Sequence, residues 1–234
     1  MPGQPYMTNC SDRSRPQRRE FLLTLYDTLE RVLGPMHWWP ADTPFEVCIG
    51  AILTQNAPWT GVAKAIGNLK EAGLFGVEAI AQADAHLLAE AIRPTIYHNQ
   101  KARRLQVFCR FLLDEHGGQV EDMCSLDPHE ARAQLLALPG IGFETADSML
   151  LYALGKPVFV VDAYTARILR RHGMIPEDCG YEDLREYFED VLDPDAGFWN
   201  EFHALLCRLG ADYCRKTPRC ASCPAHDILG EPDL

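Results

Sequence analysis

The sequence predicts an all-α protein. Three observations carry that prediction. Apolar residues recur at helical spacing through most of the chain, clusters of Gly, Pro or Asp cut that spacing into segments, and no convincing strand pattern interrupts it. Residues 17–33 place Phe21, Leu22, Leu25, Tyr26, Leu29, Val32 and Leu33 on one helical face, and Gly34-Pro35 stops the segment. An aromatic loop follows, His37-Trp38-Trp39-Pro40. A buried helix is expected at 45–53, ending at Thr54-Gln55-Asn56. Ala57-Pro58-Trp59 breaks the chain, and 61–72 (Val62, Ala65, Ile66, Leu69) resumes it as an amphipathic helix. Further helices are expected at 77–83, 85–92, 99–116, 128–137, 143–154, 163–172, 181–192 and 197–213. Val158-Phe159-Val160-Val161 is short and isolated between helices, so it reads as extended loop. Segments of this length make about ten helices.

A chain of 234 residues suffices for one large domain or two small ones. No apolar run is long enough to span a membrane. Residues 1–16 are polar, with two early prolines and no apolar h-region, so a disordered tail is expected and not a signal peptide; the cytoplasm is the default compartment. The net charge of −11 argues against gripping DNA by bulk charge, but not against a local basic face. Lys101, Arg103 and Arg104 form one candidate cluster and Arg167, Arg170 and Arg171 another; each also suits a solvated helix face. Of nine cysteines, Cys10, Cys48, Cys109, Cys124 and Cys179 are scattered. Cys207, Cys214, Cys220 and Cys223 are clustered, which points to a metal site over disulfides.

Two stretches carry chemistry. In Leu138-Pro139-Gly140-Ile141-Gly142-Phe143-Glu144-Thr145-Ala146-Asp147, Gly140 and Gly142 admit positive φ and so a sharp turn. The turn feeds a helix whose free N–H groups suit a phosphate; the alternative is a helix–helix turn that binds nothing. Asp162 follows buried-type apolar residues, where a carboxylate needs a reason. It suits a catalytic role, an N-cap for the helix at 163, or both.

The L-P-G-I-G-x-x-T-A-D pattern with Val160-Val161-Asp162 resembles the helix-hairpin-helix DNA glycosylases of the endonuclease III superfamily. Trp38-Trp39-Pro40, Gly50 to Asn56, Arg93-Pro94 and Tyr97 to Leu105 extend the likeness over most of 38–172, closest to the superfamily's 3-methyladenine glycosylases. The resemblance implies two helical lobes with a DNA cleft between them: a six-helix barrel at 41–157 containing the hairpin, and a lobe joining 17–40 to 158–234. It implies that Asp162 faces the sugar of an extruded nucleotide. Glu144 stands where bifunctional members have a nucleophilic lysine, so the expected chemistry is monofunctional base removal; a first-turn helix acid or a direct base contact are both compatible with Glu144. Trp39 and Trp59 match the two stacking positions for a cationic base, with Trp38 and Pro40 shaping the wall. Gln55 matches the side chain that fills the gap left by the flipped base, and Tyr97 aligns with the opposite wedge. Gly140, Gly142, Lys101 and Arg167 complete the expected DNA contacts.

Cluster-bearing members use C-x6-C-x2-C-x5-C. Cys214, Cys220 and Cys223 match the first three with one residue deleted, and the fourth falls at Leu229, which is no ligand. Cys207, two helical turns before Cys214, is the expected substitute. The expected cofactor is a [4Fe–4S] cluster, with zinc second and no metal third. It would pin the loop Arg215 to Arg219, which could present cations to DNA. Some 3-methyladenine relatives lack the cluster or carry a modified lysine near Ala211, a chemistry that alanine cannot supply. The expected function is a monomeric, monofunctional glycosylase for alkylated purines in damaged double-stranded DNA. The competing expectations are a mismatch thymine, uracil or adenine glycosylase of the same fold, and a catalytically inactive Fe–S DNA-binding protein.

Overall fold

The computed structural model describes residues 14–232. It is all-α: among those residues there is no strand, and Val158 to Val161 is a buried extended segment, as the sequence suggested. In chain order the helices are α1 (Arg15–Leu33), α2 (Pro44–Thr54), α3 (Trp59–Glu71), α4 (Val77–Gln82), α5 (Ala85–Ala91), α6 (His98–Glu115), α7 (Pro128–Leu136), α8 (Phe143–Ser148), α9 (Ala163–Arg171), α10 (Tyr181–Glu189), α11 (Ala196–Asp212) and α12 (His226–Leu229). Most of the tail expected at 1–16 lies outside the described residues; Arg15 and Pro16 form the first turn of α1. Among the described residues no helix is long and apolar enough to cross a membrane.

The described chain divides into two compact units. One is Trp39–Val158; the other joins the segment ending at Trp38 to the chain from Phe159 onward. In the first, α2 is buried on every side from Glu46 to Leu53, as expected of a helix apolar all round. It packs on α3, α6 and α8. Thr43 caps it by accepting from the Glu46 N–H, and Pro44 opens it.

Sequence spacing suggested one continuous helix at 143–154. The structure instead gives α8 followed by a π-helical turn, Met149–Ala153. Periodicity cannot reveal one extra residue per turn, and such turns mark places where the backbone ladder yields to packing. α7 and α8 are joined by a buried ion pair. Arg132 Nε donates to Asp147 Oδ1 at 2.7 Å and its Nη2 to Oδ2 at 3.0 Å, and Asp147 has no solvent exposure. The guanidinium also lies 5.2 Å above the Phe143 ring.

The second unit is built on aromatic contacts. Phe159 stacks on Phe188 at 3.9 Å and meets Phe202 edge-on, while Tyr26 of α1 packs 4.5 Å from Phe198. The predicted apolar face of α1 is buried at Leu22, Leu25 and Leu29, whereas Val32 is 55% exposed.

Removing one partner of a buried ion pair strands the other. Arg132→Ala is expected to destabilise the protein by about 3–5 kcal/mol in equilibrium urea unfolding; a loss well below that would show Asp147 to be held by its other neighbours.

Candidate functional site

Asp162 is the N-cap of α9. Its backbone is extended, and Oδ1 accepts the Thr165 N–H at 2.7 Å. The buried run before it fixes its position: Phe159 N–H donates to Glu189 at 2.7 Å, and Val161 N–H to the Tyr181 hydroxyl at 3.4 Å. The other carboxylate oxygen accepts the Cys207 thiol at 3.2 Å. His203, one turn earlier on α11, places both ring nitrogens 3.5–3.7 Å from that sulfur and Nε2 3.9 Å from Asp162 Oδ1. Burial pushes the His203 pKa down, with Asp162 opposing it, which favours the neutral ring. The Asp162 side chain keeps 14% of its exposure, so one edge of this carboxylate reaches solvent. Both structural and catalytic readings of Asp162 therefore fit one geometry. Sequence reasoning missed His203, although its i, i+4 spacing to Cys207 puts the two on one helix face.

The hairpin between α7 and α8 belongs to the other unit. Gly140 has φ +88°, and a Cβ there would stand 2.5–2.8 Å from the Arg104 side chain. Gly142 does not fit the expectation of positive φ: it is the extended N-cap of α8, at φ −98°. Its surroundings are open, with no atom within 4 Å of a Cβ built there, so the backbone is bare at the surface. Gln55, expected to fill the gap of a flipped base, is tied down in this structure. Its Nε2 donates to the Gly140 carbonyl at 3.0 Å and to Thr145 Oγ1 at 2.8 Å, and its Oε1 accepts from Arg104. It braces the turn. Glu144 lies exposed in the first turn of α8, where the helix dipole favours an acid.

Trp39 and Trp59 are neighbours, 5.4 Å apart and nearly perpendicular. The two rings meet edge to face and leave no slot between them. Tyr152, on the π turn, tilts against Trp39 at 5.3 Å and was missed because the turn shifts its register. Trp39 also covers Gly50, where a Cβ would stand 3.1 Å from its ring. Pro40 is exposed, and Trp38 is half-buried and falls in the other unit. Tyr97 is 60% exposed at the start of α6, in a left-handed conformation (φ +59°) uncommon for a residue with a side chain. Ile96 beside it is also exposed.

Two expected DNA contacts are corrected. Lys101 is buried, and its Nζ donates to the Leu53 carbonyl at 2.8 Å in the last turn of α2; burial lowers its pKa to about 8. Arg167 spends its guanidinium on the carbonyls of Cys214 (2.7 Å) and Gly210 (2.9 Å), with Tyr164 beneath it at 5.1 Å. Neither side chain is presented to a phosphate.

Every described cysteine is a free thiol. Cys214, Cys220 and Cys223 line one pocket with His172, His226 and Leu229, and Cys207 does not line it. The expectation of Cys207 as fourth ligand is thereby corrected, and the cause is local. α11 stops at Asp212 with Tyr213 as its C-cap, and Cys214 turns back so that its N–H donates to the Leu209 carbonyl at 2.9 Å. Cys207 remains on the helix face toward Asp162. The Cys223 thiol is pushed up by burial first, and by its neighbours Cys220 and Cys214, against a lowering hydrogen bond from the Ala225 backbone. Arg171 reaches Cys214 Sγ at 3.6 Å and holds the Lys216 carbonyl at 3.2 Å.

Residues 49–194 match the family model described as the HhH-GPD superfamily of base excision DNA repair proteins. A Methanocaldococcus jannaschii protein, whose name gives it provisionally as a DNA repair glycosylase, is 42% identical over 89% of this chain and 96% of its own. Endonuclease III of Escherichia coli K12 is 32% identical over 80% of this chain and 83% of its own. Among solved structures, the H. pylori 3-methyladenine DNA glycosylase MagIII, bound to 1,N6-ethenoadenine, superposes with a TM-score of 0.70 at 30% identity, covering 83% of this chain and 97% of that one.

Asp162→Ala is expected to cost about 1 kcal/mol in thermal or urea unfolding through loss of the cap, and Asp162→Asn much less. His203 is neutral and buried, so below its ordinary value of 6.5 the unfolded chain takes up a proton that the folded chain refuses. Stability should fall as pH drops from 6.5 toward 5, and His203→Gln should flatten that slope in melts recorded across the range; an unchanged slope would assign the acid sensitivity elsewhere.

Proposed function

The chain belongs to the HhH-GPD superfamily of base excision DNA repair proteins, and from that premise we propose that it is a monofunctional DNA glycosylase, acting as a monomer on alkylated purines, 3-methyladenine above all, in duplex DNA. The observation that carries this reading is a carboxylate fixed on both oxygens, Asp162, combined with Glu144 where lyases of the superfamily place their lysine. Lys101 and Lys156 are no substitutes, since each donates to backbone carbonyls.

The chemistry follows. An alkylated purine such as 3-methyladenine is cationic, so breaking its bond to C1′ returns the electron pair to the base, which leaves neutral. Positive charge develops on the sugar. A carboxylate already oriented by the Thr165 N–H and the Cys207 thiol stabilises that charge with little reorganisation. A neutral His203 beside it does not cancel its field. Water adds to C1′ and gives up a proton to Asp162 or to solvent, leaving an intact abasic site.

The Trp39, Trp59 and Tyr152 group offers aromatic surface for an electron-poor base, which stacks on the outside of the group. The likeness to the H. pylori 3-methyladenine glycosylase supports this lesion class. The bare backbone at Gly142 and the exposed Arg215, Lys216 and Arg219 suit DNA phosphates. The pocket of Cys214, Cys220 and Cys223 gathers three soft thiol donors with His226, whose Nδ1 is buried without a hydrogen-bond partner, a donor set that suits a [4Fe–4S] cluster, with zinc as the alternative. The cluster's contribution is structural: it ties down the loop that carries Arg215, Lys216 and Arg219.

Base release should be measured on duplexes containing 3-methyladenine, thymine glycol, or a G·T or G·U mismatch, with and without alkali. The expected result is excision of 3-methyladenine with strand breaks only after alkali. Asp162→Asn should slow excision by about 10²–10³-fold while DNA binding persists. Release of a mismatched base alone would replace the alkylpurine reading, and strand cleavage without alkali would remove the monofunctional one.

A further inference from the structure

Three thiols do not complete a four-iron cluster, and the structure withdraws the obvious fourth. Cys207 is bound to Asp162, and Leu229, at the spacing where cluster-bearing relatives have cysteine, has no ligand atom. We infer that His226 is the fourth ligand, making a Cys3His site with Cys214, Cys220 and Cys223; the inference rests on the cluster reading above.

Three features of His226 support this. It lines the same pocket as the three thiols. Its Nδ1 is buried and has no hydrogen-bond partner, a state that costs free energy unless something binds there. Its backbone N–H donates to the Cys223 carbonyl at 3.1 Å, which holds the ring one turn beyond the third thiol on the short helix α12. The opposite nitrogen, Nε2, faces the Glu231 carboxylate at 3.9 Å. Ligating histidines typically show this arrangement, one nitrogen toward the metal and the other toward a carboxylate that fixes the tautomer. A neutral imidazole in place of a thiolate leaves the site one negative charge lighter than four cysteines would. In iron–sulfur proteins that exchange raises the reduction potential.

The test uses the full chain purified without oxygen, with iron and sulfide analysis and pulsed EPR of the reduced cluster on protein grown with 14N- or 15N-histidine. The expected result is a four-iron cluster with a nitrogen coupling that changes with the isotope. H226C should keep the iron, lose that coupling and lower the potential; H226A should lose one iron; C207A should keep both iron and coupling. Circular dichroism melts of each variant separate ligand loss from unfolding. A cluster with no nitrogen coupling, a coupling that survives in H226C or disappears in H172A, or iron lost in C207A, each overturns His226 while leaving the cluster reading intact. Zinc without iron, or no metal, overturns the cluster reading and this assignment with it.

Discussion

Carbonyl groups left without partners at the ends of helices decide where this acidic chain spends its cations. The last turn of an α-helix leaves four such groups, and burying them unmet costs as much as a lost hydrogen bond. Lys101 meets the one at Leu53 and Arg167 the one at Gly210, while Arg167 and Arg171 also serve the carbonyls of Cys214 and Lys216 in the loop after α11. Lys156 serves the carbonyls of Cys124 and Leu126 around a 3-10 turn. Each bond also fixes a segment on which the candidate site depends: the end of α2 that carries Gln55, and the loop that carries the pocket cysteines. The basic clusters that looked like a DNA-facing surface in the sequence are largely internal scaffolding. A helical pattern shows which side chains share a face, but not which foreign helix end that face will meet.

The same limit explains what was legible and what was not. The all-α class, nearly every helix, and the N-cap role of Asp162 came from patterns within a dozen residues, where local chemistry is sufficient. The hairpin was legible as a turn, but only Gly140 needs its missing side chain, for both its φ and the Arg104 stem against it. Gly142 is extended, and what it contributes is bare surface. Gln55 was legible as a polar helix end; that it would be held by three partners from α6 and the hairpin required packing that no single segment records. The Trp39–Trp59 contact joins a loop to the start of α3 and needed tertiary packing, while the approach of Tyr152 was hidden for a sharper reason, since a π turn shifts side chains off the positions of a helical wheel.

The hairpin is also held by charge. Arg132 and Asp147 lock α7 to α8 from behind, and Gln55 and Arg104 hold the turn itself. Glu144 sits at the surface of this braced element. A lysine at that position would put an amine on a rigid platform; a glutamate puts an anion there, which neither attacks a sugar nor attracts a phosphate. On the proposed reading, the difference between removing a base and nicking a strand falls on this one side chain.

Cys207 shows how the two chemistries of the C-terminal helix are kept apart. A metal ligand must be a thiolate, whereas the contact with Asp162 is made by a thiol that donates its proton. One sulfur cannot do both. Had α11 run straight through residue 214, Cys207 and Cys214 would have faced the same side, and a cluster would have competed with the carboxylate for the same thiol. The early stop at Asp212, with the Cys214 N–H folded back onto the Leu209 carbonyl, turns Cys214 away and leaves Cys207 with Asp162 and His203. On the proposed reading, that single break lets a hydrogen-bonded carboxylate site that uses Cys207 of α11 and an iron–sulfur site in the chain beyond the end of α11 exist without sharing an atom.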